Sequence, residues 1–86
     1  MITGVQIRAA RSALRWTTQD LAERAGVTSR TIKRFEAVDE VPPSRSTTLA
    51  SVKTIFESAG IEFIGTPNDR PGIRLSLAPK GNERQT

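Results

Sequence analysis

The chain has no cysteine and no histidine. A disulfide is therefore excluded, as is any metal site built on thiolate or imidazole ligands. The lack of cysteine also fits a reducing compartment, where disulfides are rare. Tyrosine is missing, and aromatic residues make up only 5% of the 86 positions. No apolar run approaches the roughly 20 residues needed to span a bilayer. The N-terminus lacks the charged head and apolar stretch of a secretory signal. These absences lead us to expect a cytoplasmic protein with no membrane partner. Catalysis finds no foothold either: Asp39 and Glu40 are adjacent, but no nucleophile, base or metal ligand accompanies them. We read them as loop polarity and expect a non-enzyme without a cofactor.

What remains is a globular composition, 36% hydrophobic and 26% charged, long enough for one small domain with one modest core. The net charge of +4 is unevenly placed. Residues 1–36 hold seven basic residues against three acidic ones, whereas residues 37–86 hold six of each. All the excess positive charge lies in the first part of the chain. Such asymmetry points to a polyanionic partner.

Periodicity gives four helices and then a change of pattern. Thr3 can cap a first helix running to Arg15, with Ile7, Ala10 and Leu14 on one face. Arg8, Arg11 and Arg15 repeat on the neighbouring face, which reads as a solvated stripe. Trp16 closes the segment; we take it as a core anchor rather than a platform for stacking a base. Thr17 or Thr18 caps the second helix, with Asp20 in its first turn and Leu21, Ala22 and Ala25 facing inward. Gly26 ends it, since glycine turns left-handed at no steric cost. Thr28 or Ser29 caps a third helix with Ile32 and Phe35 inside. A loop VDEVPPSR follows at 38–45, because Pro42 and Pro43 cannot lie inside a helix. Thr47 or Thr48 opens a fourth helix carrying Leu49, Val52, Ile55, Phe56 and Ala59 on one side, ended by Gly60. Residues 61–64 and 73–77 then alternate like strands about the turn-rich GTPNDRPG.

Two short helices joined by a tight glycine-containing turn are the helix-turn-helix arrangement. Ala22 suits a close helix crossing, Gly26 the turn, and Val27 the gap beneath it. The stretch TTQDLAERAGVTSRTIKRFE, preceded by IRAARSALRW, resembles the phage-repressor-like (Cro/C1-type, XRE) bacterial transcriptional regulators. The resemblance covers residues 4 to about 60 and rests on Leu21-Ala22, Gly26-Val27-Thr28, Thr31-Ile32 and Glu36 taken together.

That resemblance implies a four-helix repressor-like DNA-binding domain over 1–60; with the β-hairpin read from the alternation at 61–77, we expect a mainly α protein. Residues 78–86 have nothing to bury, and we expect a flexible tail there. The resemblance implies that Thr28, Ser29, Arg30 and Arg34 face the bases. It places phosphates at Thr18 and Gln19, while Lys33, beside the base-facing residues, and Arg45, in the loop, offer further charge to the backbone. It also implies an ion pair between Arg11 and Glu36. The chain departs from the family at Thr18, where glutamine is usual, and in the 38–45 loop, which usually carries a glycine and more basic residues.

The expected function is a sequence-specific, nucleoid-associated regulator that reads a palindromic operator in double-stranded DNA with the helix Thr28–Ala37. A homodimer suits a palindrome, and Ile61, Phe63, Ile73, Leu75 and Leu77 offer one apolar face to a second copy, because a lone hairpin is marginal in water. The rival is that the hairpin folds onto its own fourth helix. A different function class stays open: an antitoxin-like or protein–protein interaction module whose C-terminal half holds a protein partner.

Overall fold

Each of the first three helices begins at a threonine whose hydroxyl accepts a backbone amide of the first turn. In the computed structural model, which describes residues 1–76, these are α1 (Gly4–Ala13), α2 (Thr18–Ala25) and α3 (Ser29–Glu36). Thr3, Thr17 and Thr28 are the caps, accepting from the amides of Gln6, Asp20 and Thr31. Gln6 and Asp20 complete capping boxes by accepting the amide of their own cap residue. The Thr17 amide and hydroxyl hold the exposed Asp20 carboxyl below the usual carboxylate range.

The fourth helix differs from expectation. α4 (Ser46–Ser58) has Arg45 at its cap position and no side-chain cap. Thr47 and Thr48 lie inside its first turn, where the amides of Thr48 and Leu49 already donate to the Arg45 carbonyl. The extended backbone that Pro42 and Pro43 impose ends early enough for the helix to start at Ser46.

Three helix ends turn left-handed, at Arg15, Gly26 and Gly60. Gly26 has φ 70°, and a Cβ there would meet nothing within 4 Å, so backbone conformation alone calls for glycine. At the end of α1 the same role falls to Arg15, with φ 59°. The Trp16 amide donates to the Arg11 carbonyl and the Arg15 amide to the Ser12 carbonyl, the two bonds of a Schellman motif. Arg15 therefore belongs to the turn and not to a helical stripe. A left-handed L-residue costs about 1–2 kcal/mol, partly offset by the flexibility glycine adds to the unfolded chain. We expect Arg15→Gly to raise stability by about 1 kcal/mol. A lower denaturation midpoint for that variant would mean the Arg15 side chain holds something in place.

The hairpin is longer than the alternation indicated. β1 (Ile61–Thr66) pairs antiparallel with β2 (Asp69–Leu75) around Pro67 and Asn68. The turn-rich segment enters the ladder because Gly65, at φ 76°, and Arg70, at φ 51°, accommodate a bulge between Ile64 and Thr66. Leu77 and the tail at 78–86 lie outside the described residues.

All five elements before β2 contribute to one core. Ile7, Ala10, Leu21, Ala22, Ile32, Phe35, Leu49, Val52, Phe56 and Ile61 are buried. Trp16 stacks on Phe56 at 5.6 Å, and Phe56 meets Phe63 edge-on at 6.0 Å, so one aromatic row joins the end of α1 to α4 and the hairpin. Phe63, Ile73 and Leu75 pack against the same core. Buried Gln6 adds a polar tie: its amide nitrogen donates to the carbonyls of Ile64 at 3.2 Å and Gly72 at 2.9 Å. Of the apolar face expected to meet a second copy, Ile61 is buried and Phe63, Ile73 and Leu75 are half-buried, so the hairpin packs on α1 as well as on the α4 named by the rival. Intramolecular burial of that face needs no second chain to be immobilised.

Candidate nucleic-acid interface

α2 and α3 pack directly on one another across the turn Gly26-Val27-Thr28. Ala22 is buried at their crossing, and the Val27 amide donates to its carbonyl at 3.0 Å. Val27 itself is half-buried against the core beneath the turn. The pattern along α3 is then sharply two-sided. Ile32, Phe35 and Glu36 are buried, spaced three and four residues apart. Arg30, Lys33 and Arg34 share the same spacing and are exposed on the opposite side.

Glu36 is the one charged residue in the buried set, and α1 explains it. The Arg11 guanidinium donates through Nε to Glu36 Oε2 at 2.8 Å and through Nη2 to Oε1 at 2.9 Å. Its Nη1 donates to the Trp16 carbonyl at 2.9 Å. Donating to the Glu36 carboxylate raises the already high pKa of Arg11 further. This two-pronged contact anchors α3 to α1 and leaves the opposite side of α3 facing outward.

Four other cations are engaged elsewhere. Arg8 pairs with Asp39 at 2.8 Å, Arg70 with Asp69 at 2.9 Å, and Arg74 with Glu62 at 3.6 Å. Arg24 lies 4.2 Å over the Trp16 ring. Among the described residues, Arg30, Lys33, Arg34 and Arg45 form no ion pair, as do Arg15 and Lys53 elsewhere. Arg34 stands 5.7 Å from the Phe35 ring centre, near the outer limit of a cation–π contact. The unneutralised positive charge of α3 is therefore concentrated on one helical face, and no acid among the described residues pairs with it.

The remaining candidates are placed as follows. Thr28 is exposed, and besides capping α3 its hydroxyl meets that of Thr31 at 3.1 Å. Ser29 is half-buried in the first turn. Thr18 is the first residue of α2 and half-buried, while exposed Gln19 donates to Glu23 at 3.0 Å. Arg45 is exposed at the positive end of α4, reached through the loop that leaves α3. Sequence reasoning missed two residues that shape this surface. Arg8 reads as solvated from its spacing, yet it reaches Asp39 and the backbone after α3. Gly4 drew no reading from the sequence, yet its amide donates to the Glu40 carbonyl at 2.9 Å, and a Cβ there would lie 1.9 Å from the Val38 carbonyl oxygen. Neither carries a local signal, because both partners lie some thirty residues away or more.

A family model described as a helix-turn-helix domain matches residues 3–54, well over half of the chain. The protein belongs to the helix-turn-helix family. The match begins at the Thr3 cap and extends into α4, so it spans the whole α2–α3 unit. No curated protein matches the chain. Membership agrees with the repressor-like resemblance and makes DNA the partner class, because a helix-turn-helix lays one helix across the backbone and the next in the major groove. Among the described residues no helix is long and apolar enough to cross a membrane.

Proposed function

We propose that this helix-turn-helix protein is a transcriptional regulator that reads double-stranded DNA sequence-specifically with α3 in the major groove. The observation that carries the reading is the two-sided α3: Arg30, Lys33 and Arg34 exposed and unpaired, opposite a face pinned by Ile32, Phe35 and the Arg11–Glu36 pair. Thr28, Ser29, Arg30 and Arg34 are assigned to base edges. Thr18, Gln19, Lys33 and Arg45 are assigned to phosphates. Gln19 reaches DNA by leaving Glu23, an exposed contact that is cheap to break. A mobility-shift titration on the DNA upstream of the protein's own gene, against a scrambled duplex of equal composition, tests this. Equal affinity for both would sink sequence-specific reading.

The same reading takes a homodimer on a palindromic operator, its two α3 helices about one DNA turn (~34 Å) apart. To a second copy the hairpin offers its half-buried Phe63, Ile73 and Leu75 together with its outer strand edges. Light scattering at tens of micromolar is expected to give twice the chain mass; a single-chain mass removes the dimer.

A further inference from the structure

Two arginines of α1, one turn apart, hold the far end of α3 in different ways. Arg11 takes the Glu36 side chain. Arg8 takes the backbone: its Nη1 donates to the carbonyl oxygens of Glu36 and, at 3.4 Å, Val38. Its Nη2 donates to Asp39 Oδ1 at 2.8 Å. The last carbonyls of a helix have no partner within the helix, and many helices satisfy them with a left-handed glycine. α3 has none. Its C-cap, Ala37, keeps φ −74° and ψ −14°, so the chain does not fold back over those carbonyls. Arg8 supplies the missing donors from another helix. It also neutralises Asp39 beside the loop that leads to Arg45.

The contact is not a large store of energy. The Arg8 side chain is 39% exposed and that of Asp39 83%, and exposed pairs contribute little to stability. What the contact sets is geometry. Glu36, Val38 and Asp39 are joined to one rigid guanidinium fork on α1, which fixes where α3 stops and in which direction the loop leaves it.

We propose that Arg8 is a positioning residue for DNA recognition: it locks the exit of α3 so that the base-facing side chains and Arg45 meet DNA in register. This rests on the DNA-binding reading above. Arg8 then acts through α3 and the loop, not by touching phosphate.

The test compares wild type, Arg8→Gln and Arg8→Lys. The probe is a duplex enriched by the wild type from a randomised library, set against a scrambled duplex, at several salt concentrations and well below each melting temperature. Arg8→Gln is expected to bind the enriched duplex about tenfold more weakly, the equivalent of one misaligned base contact. Affinity for the scrambled duplex and the salt slope should stay as they are, because no phosphate contact is removed. Arg8→Lys keeps the charge but not the fork, so it should lose most of the same discrimination while remaining folded. Amide exchange should quicken at residues 37–40 and not in the α1 or α4 core. Equal losses on both duplexes with a slope reduced by about one would make Arg8 a phosphate contact and overturn the proposal. Unchanged discrimination in both variants also overturns it. A wild type that enriches no duplex defeats the DNA-binding reading itself, and this inference with it.

Discussion

Glu36→Ala is expected to lower stability by about 3 kcal/mol, the lower end of the cost of breaking a buried ion pair. The Glu36 side chain is 8% exposed and that of Arg11 24%, so the surviving guanidinium would be left in a largely sheltered place with both carboxylate bonds gone. Only the Trp16 carbonyl would still accept from it. Water can reach part of Arg11, which is why the lower end of the range applies. For a domain of this size the loss corresponds to a melting temperature lower by roughly 12 to 24 °C. Replacing both partners by methionine should cost much less than either alanine substitution alone, because apolar packing can take the place of a buried pair once neither charge is stranded. A thermal melt of the single and double variants measures both statements. An unchanged melting temperature in Glu36→Ala would show that the pair contributes nothing and that apolar contacts alone hold α3.

The second large effect is on binding, and it separates two kinds of cation on one helix face. Arg30 and Arg34 are four residues apart and so lie one above the other on the exposed side of α3. An arginine fork matches the O6 and N7 acceptors of guanine, which calls for at least one G·C pair in each half-site. Arg30→Ala or Arg34→Ala is therefore expected to cost about 1–3 kcal/mol on a selected site and to relax preference at one base position. Lys33 carries a compact charge on a flexible stem, better suited to phosphate. Lys33→Ala should weaken binding to selected and scrambled DNA alike and reduce the salt slope by about one. All three side chains are exposed and none is ion-paired, so the substitutions should leave the fold intact. Affinities for both duplexes across a salt series decide the matter. If the two arginine variants lose equally on both, Arg30 and Arg34 hold the backbone and the base-reading assignment falls.

What could be read from the chain alone was whatever is settled among near neighbours. Thr3, Thr17 and Thr28 each cap through an amide three residues on, and Gly26 turns left-handed whatever lies around it. The buried sides of the helices follow from residues one turn apart, so the helical order and the helix-turn-helix were legible. The pair between Arg11 and Glu36 spans 25 positions, and only the family resemblance pointed to it. Beyond that, local pattern was silent or pointed elsewhere. An alternating hairpin shows that it has an apolar face but not what covers that face; the paths of α1 and α4 decided it, with Gln6 bridging to carbonyls 58 and 66 residues away. Arg8 repeats at the spacing of a solvated stripe, and only the return of the chain after α3 brings Asp39 and two carbonyls to it. Nothing in the local pattern marks Gly4; only the packing of α1 against the Val38 carbonyl excludes a Cβ there. The physical division is one of range: a cap or turn is complete within a few residues, whereas a tertiary partner is chosen by the burial of the whole core at once.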